Sequence, residues 1–291
     1  MIVFVVLIIA ALATAAWLTV EPSLIRRRRR RLMGAPTPAQ WHQWIATHVP
    51  LVKYLPPELL ERVLALTRIF VNDKRFVGCN GLTVTDEMRV VIGLQASLLV
   101  VNRPGVPIDA FYDELESILV YPAAFLVEET QHLGHGLVTT GRRALSGQAW
   151  EARRMILSWD DIEHRPPASN VVLHEFAHYL DMENDSMDGA PVLQNALAYA
   201  RWSQAFWEEY RRLHEDLQAG RPTLLDPYAA TQPAEFFAVV TEVFFERPAP
   251  LLLEHPGVYN ELKGYYRLDP AAWPGVAPLH PSTLTGLDPA N

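Results

Sequence analysis

The chain has 291 residues, 25 basic and 33 acidic side chains, a net charge of −8 and one cysteine. A single cysteine excludes an internal disulfide and fits a reducing compartment. Charge is spread unevenly: Met1–Met33 holds six Arg and one Glu, which leaves 19 basic and 32 acidic side chains beyond it, a net −13, and such an acidic body argues against direct nucleic-acid binding.

Met1–Val20, MIVFVVLIIAALATAAWLTV, contains no charged residue. Twenty helical residues at 1.5 Å each span about 30 Å, the hydrocarbon thickness of a bilayer. Trp17 stands near the end of the run, where interfacial aromatics collect. The basic block Arg26–Arg31 follows the apolar run, whereas a cleaved signal peptide carries its positive charge in front. The expectation is a single-span anchor in the inner (cytoplasmic) membrane, N-terminus out, with the rest of the chain in the cytoplasm and the arginines on anionic head groups. The expected organisation is an anchor over 1–20, a basic juxtamembrane segment and linker over 21–40, one domain over 41–270 and a Pro-rich tail over 271–291. The short Pro-rich Met33–Gln40 reads as the spacer.

Helices are expected over Trp41–His48, Pro57–Asp73 and Thr85–Val101. The second opens with Pro57 in its first turn and spaces Leu59, Leu60, Val63, Leu64, Leu66 and Phe70 helically. The third has Asp86 and Glu87 near its positive end. Phe76–Thr83 and Ser117–Val127 read as strands, with Tyr121 and Phe125 as core aromatics and Cys79 as a small buried residue. His132 and His135 sit beside glycines in a loop. Met155–Trp159 reads as an edge strand, along which an extended peptide could add itself.

Pro166, Pro167, Ser169 and Asn170 stop the chain, and Ser169 or Asn170 is placed to cap the next helix. That helix is Val171–Asp181, VVLHEFAHYLD. It contains His174-Glu175-Phe176-Ala177-His178, an H-E-x-x-H. Residues four apart share a helix face, so both imidazoles reach one point. Zn²⁺ takes such nitrogen ligands at about 2.0–2.1 Å with one position left open. Glu175 is placed beside that open position as a general base. Val171, Val172, Leu173, Phe176, Ala177 and Leu180 make the helix apolar nearly all round, so it is expected to be buried. Two histidines and a glutamate would be costly there without a partner. Asp181 shares the histidine face and reads as a carboxylate accepting an imidazole N–H.

Asn195–Ala219 reads as a long helix with a core stripe of Trp202, Phe206, Tyr210 and Leu213. A third metal ligand is then needed. The positions that would continue a metzincin motif hold Asp181 and Asn184, which excludes that subclass. The remaining common solution is a glutamate from a second helix. Asp226–Glu246, DPYAATQPAEFFAVVTEVFFE, reads as a helix opening near Pro233. Glu235 and Glu242 are seven apart on one face, and periodicity alone does not choose between them. A last helix is expected within Pro256–Asp269, with Tyr259, Leu262, Tyr265 and Tyr266 packing inward.

HEFAHYLD followed by PYAATQPAEFFAVVTEVFFE closely resembles the Mlc titration factor A family of zinc-dependent peptidases, and is similar to the catalytic domain of anthrax lethal factor. The resemblance runs from about Gln40 to Asp269 and includes Ile118–Phe125 and Ser146–Trp150. It implies an α+β, predominantly helical, zincin-like metallopeptidase domain, here behind a single N-terminal transmembrane helix. It implies one Zn²⁺ per chain on His174, His178 and Glu235. Tyr228 would line the metal and assist catalysis beside Glu175, and Glu242 would stand behind the ligands or on the helix surface. The expected function is aminopeptidase-like hydrolysis of peptide or protein substrates. The rival expectation is a regulatory protein that sequesters a transcription regulator, with zinc mainly structural.

Overall fold

The computed structural model describes residues 2–103, 111–123, 153–166 and 169–276, without most side chains of residues 2–19. The expected Phe125, His132, His135, Ser146–Trp150 and Pro167 lie outside the described residues, as do residues 277–291 of the tail. The elements are α1 (Ile2–Met33), α2 (Ala39–His48), α3 (Pro57–Asp73), β1 (Arg75–Gly78), α4 (Asp86–Val100), β2 (Ser117–Tyr121), β3 (Arg154–Ser158), α5 (Trp159–Glu163), α6 (Val171–Asp181), α7 (Ala196–Gln218), α8 (Pro233–Glu246), α9 (Pro248–Glu254) and α10 (Pro256–Tyr266). The fold is predominantly helical α+β with a small parallel sheet.

The sheet runs β1-β2-β3, with Phe76 opposite Ile118 and Ile118 opposite Met155. Parallel neighbours need a crossover, and α4 supplies it between β1 and β2. Side chains alternate across a strand, so Phe76, Ile118, Val120, Met155 and Leu157 are buried. Tyr121, expected in the core, is half-buried at the end of β2, and Cys79 is half-buried just past β1. β1 is shorter than expected because the chain turns at Asn80 and Gly81, both with positive φ. β3 is at an edge of the sheet among the described residues. Trp159, expected in that strand, begins α5, where Ser158 accepts the Asp161 N–H as cap.

α4 is buried from Met88 to Val100 except at Arg89. Thr85 caps it by accepting the Met88 N–H at 3.2 Å. α4 packs against α3 on one side and α6 on the other. Phe70 anchors this layer through edge contacts with Phe76, Phe111, Tyr112 and Phe176. α6 packs in turn on α8. α7 closes the far side, where Trp202 stacks on Phe206 at 4.1 Å and meets Phe237 edge-on. The helix α9 between α8 and α10 was not expected. Its seven residues begin with Pro-Ala-Pro, a composition that reads as loop until Leu251 is buried against the core.

The chain before α2 is tied to the body. Arg28 pairs with Asp73, and Arg29 with both Asp73 and Asp113. Arg29 is only 5% exposed. The expectation that the arginines rest on head groups is therefore corrected for these two: their carboxylate partners belong to the protein. The expected spacer is likewise held, since Arg68 donates to Leu32 O at 2.8 Å, Met33 O at 2.7 Å and Thr37 Oγ1 at 2.5 Å. Among the described residues no helix is long and apolar enough to cross a membrane.

Candidate metal centre

α6 starts at Asn170, whose Oδ1 accepts the Leu173 N–H at 3.2 Å. Its apolar residues Val172, Leu173, Phe176, Ala177 and Leu180 are buried. The remaining stripe, with His174 and His178, faces α8. The imidazoles lie 4.8 Å apart between centroids, nearly perpendicular, with their Nε2 atoms 3.1 Å apart.

α8 opens with Pro233 in its first turn and carries Glu235 there, where the helix N-terminus favours a carboxylate. Glu235 is 5% exposed. Its Oε1 accepts from the Gln232 amide at 3.0 Å. Its Oε2 lies 3.0 Å from His174 Nε2 and 3.2 Å from His178 Nε2. Three donor atoms thus form a triangle with sides of 3.0–3.2 Å. Ligands at zinc bond lengths in a tetrahedron would stand about 3.3 Å apart. Two buried imidazole nitrogens facing one another also share at most one proton without repulsion, so a cation is the fitting occupant. The residues present therefore fit a metal, and these three form the ligand group among the described residues.

The electrostatics are those of a site shaped for positive charge. Burial opposes charge on His174, but its contacts with Glu235 and Glu242 prevail and raise its pKa to about 10. Burial opposes charge on Glu235 too, yet the two imidazoles hold it far below the usual carboxylate range. Glu175 is half-buried, and desolvation pushes its pKa up against the pull of both histidines.

Tyr228 is brought to this group by a short 3₁₀ turn, Pro227–Ala230, capped by Asp226, which accepts the Tyr228 N–H at 2.8 Å. Its ring lies 6.1 Å from that of His174 and is 44% exposed. It forms the solvent-side wall. The expected contact between Asp181 and an imidazole is absent: Asp181 Oδ2 instead accepts the Gly189 N–H at 2.9 Å. The carboxylate that meets an imidazole is Glu242, 2.7 Å from His174 Nδ1. Periodicity put both glutamates on one face, and the packing of α6 on α8 brings Glu235 to the imidazole Nε2 atoms, as the family resemblance implied, and Glu242 to His174 Nδ1. Gln232 and Asn170 were not foreseen as partners of these glutamates. An apolar cavity of about 480 Å³, lined by Trp202, Phe206, Trp207, Tyr210, Pro233 and Phe236 among others, lies between α7 and the start of α8 and includes none of the three donors.

The family model described as glucose-regulated metallo-peptidase M90 matches residues 24–267. An uncharacterized protein of Synechocystis sp. is 36% identical over 264 residues, covering 89% of this chain and 94% of that protein. Mlc titration factor A of Yersinia pestis is 34% identical over 246 residues, covering 80% of this chain and 86% of its own, and the Yersinia pseudotuberculosis protein matches equally. With its H-E-x-x-H helix and distant glutamate meeting at one point, the chain belongs to the M90 metallopeptidases, the family of these relatives.

Proposed function

We propose that this metallopeptidase is a zinc enzyme that hydrolyses peptide bonds, with His174, His178 and Glu235 holding the ion and Glu175 as general base. The observation that supports this most is the donor triangle, with Glu175 on the same turn of α6. Zinc in such a site acidifies a water and polarises a carbonyl. Glu175 takes the proton of the attacking water and returns it to the leaving amine, a role typically worth about 10²–10⁴-fold in rate. The raised pKa of Glu175, caused by its desolvation, suits a group that must accept a proton and hold it until the leaving amine takes it. Tyr228 donates its phenol O–H to the developing oxyanion, a contact worth roughly 10²–10³-fold elsewhere. Trimming from the N-terminus, an aminopeptidase-like action, is the proposed mode.

We place the chain in the inner (cytoplasmic) membrane as a single-pass protein, on the uncharged run Met1–Val20 and the arginines after it. The name of the Yersinia relatives, Mlc titration factor A, favours a second role, the sequestering of a transcription regulator.

The test is hydrolysis of a mixed peptide library by the full chain. We expect activity that chelator abolishes and zinc restores, free N-termini consumed first, and no turnover by Glu175→Gln with zinc still bound. Undiminished turnover by that variant removes Glu175 from the mechanism.

A further inference from the structure

Glu242 stands two turns beyond Glu235 on α8, and Glu246 one turn further, so three carboxylates line one face of the helix. They engage different parts of α6. Glu235 turns one oxygen to both imidazole Nε2 atoms. Glu242 is 6% exposed and divides its oxygens. Its Oε1 meets His174 Nδ1 at 2.7 Å, and its Oε2 accepts the backbone N–H of Asn170. Glu246 Oε1 accepts from the Asn170 side-chain amide at 2.7 Å and from Arg165 Nη1 at 2.6 Å. Asn170 is the residue that caps α6. The first turn of the helix carrying both histidines is thus fixed to α8 by side chains as well as by apolar packing.

We infer that Glu242 is a positioning residue: one carboxylate sets the Nδ1–H tautomer of His174 and also locks the start of α6 at a fixed distance from Glu235. This rests on the metallopeptidase reading and extends it to a residue that touches neither metal nor substrate. An ionised carboxylate only accepts hydrogen bonds. Facing it, His174 Nδ1 must donate, which leaves Nε2, on the side of Glu235 and His178, as the nitrogen that offers a lone pair once its own proton is lost. The second oxygen meets a second donor, the Asn170 N–H. A carboxamide of the same shape has one accepting oxygen and one donating nitrogen, and so cannot serve both partners. With its amide nitrogen toward His174 it selects the wrong tautomer. With that nitrogen toward Asn170 it opposes a donor with a donor. Glu246, itself paired with Arg165, holds the shared partner Asn170 and makes no hydrogen bond to the imidazole.

The experiment uses the full chain and zinc itself. In the zinc-loaded wild type, nitrogen NMR should show His174 ligating through Nε2 with a proton on Nδ1. Glu242→Gln, folded by circular dichroism, should bind zinc about 10–100-fold more weakly in chelator competition. Glu246→Gln should lower thermal stability while zinc affinity stays within a few-fold of wild type. Ligation through Nδ1, or wild-type affinity in Glu242→Gln, overturns the inference. The NMR arm decides the matter even if Glu242→Gln does not fold. A wild type that binds no zinc would instead sink the metallopeptidase reading, and this inference with it.

Discussion

At the scale of single residues, the centre is a balance between buried carboxylates and imidazoles. His174 keeps its proton up to about pH 10 in the metal-free protein, because Glu235 and Glu242 outweigh the cost of burying its charge. In the proposed zinc site, the ion must displace that proton from Nε2. Protons and zinc therefore compete below pH 10, and apparent zinc affinity should rise about tenfold per pH unit between pH 7 and 9. Titration calorimetry in buffers of different ionisation enthalpy should show close to one proton released per zinc at pH 8. An affinity independent of pH would mean that His174 is already neutral. The same raised pKa contributes stability to the metal-free fold that is full below His174's unfolded value and lost as pH rises through about 10.

At the scale of elements, the site depends on how α6 leaves its histidines and how the next loop returns to α8. Gly189 has φ +79°, and a Cβ there would stand 2.4 Å from Pro233 O, at the start of the helix that carries Glu235. The close approach lets its N–H reach Asp181 Oδ2. Gly189→Ala should cost at least about 1–3 kcal/mol from the left-handed backbone alone, read from urea unfolding. Gly220→Ala is the control, with a positive φ but open space around the added carbon. An equal cost in both variants would show that the approach to Pro233 is immaterial. The helices that expectation found in the body, α2, α3, α4, α6, α7, α8 and α10, are all ten residues or longer. The ones it missed, α5 and α9, are five and seven residues long. Periodicity needs at least two turns to be visible, and such short helices form because the core around Trp159 and Leu251 accepts them.

At the scale of the whole molecule, the N-terminal arginines belong partly to the fold. Arg29 is buried between Asp73 and Asp113, while Arg27 is exposed. Arg29→Ala should leave those carboxylates unpaired and speed hydrogen exchange across residues 24–33, whereas Arg27→Ala should leave exchange unchanged. Equal protection in all three proteins would mean that the Arg29 ion pairs do not hold α1. An end of α1 joined to the body in this way also transmits orientation: whatever holds the start of α1 would set the direction in which the metal centre faces.

His174, Glu175 and His178 were legible from the sequence alone, because an i, i+4 pair on an apolar helix is a local pattern and local geometry suffices to join its ends. The need for a third ligand followed from that pair, while the class of the fold was read from the family resemblance. Periodicity did not divide the work between Glu235 and Glu242; only the family resemblance made Glu235 the third ligand and set Glu242 behind the ligands or on the helix surface. Residues seven apart on one helix face are equivalent until another helix is laid across them at a definite height. That height is set by α6 packing on α8, with Asn170 and Gly189 as its two side-chain and backbone stops. The tertiary structure therefore decided that Glu242 meets an imidazole from behind rather than standing on the helix surface, and that Asp181 does not.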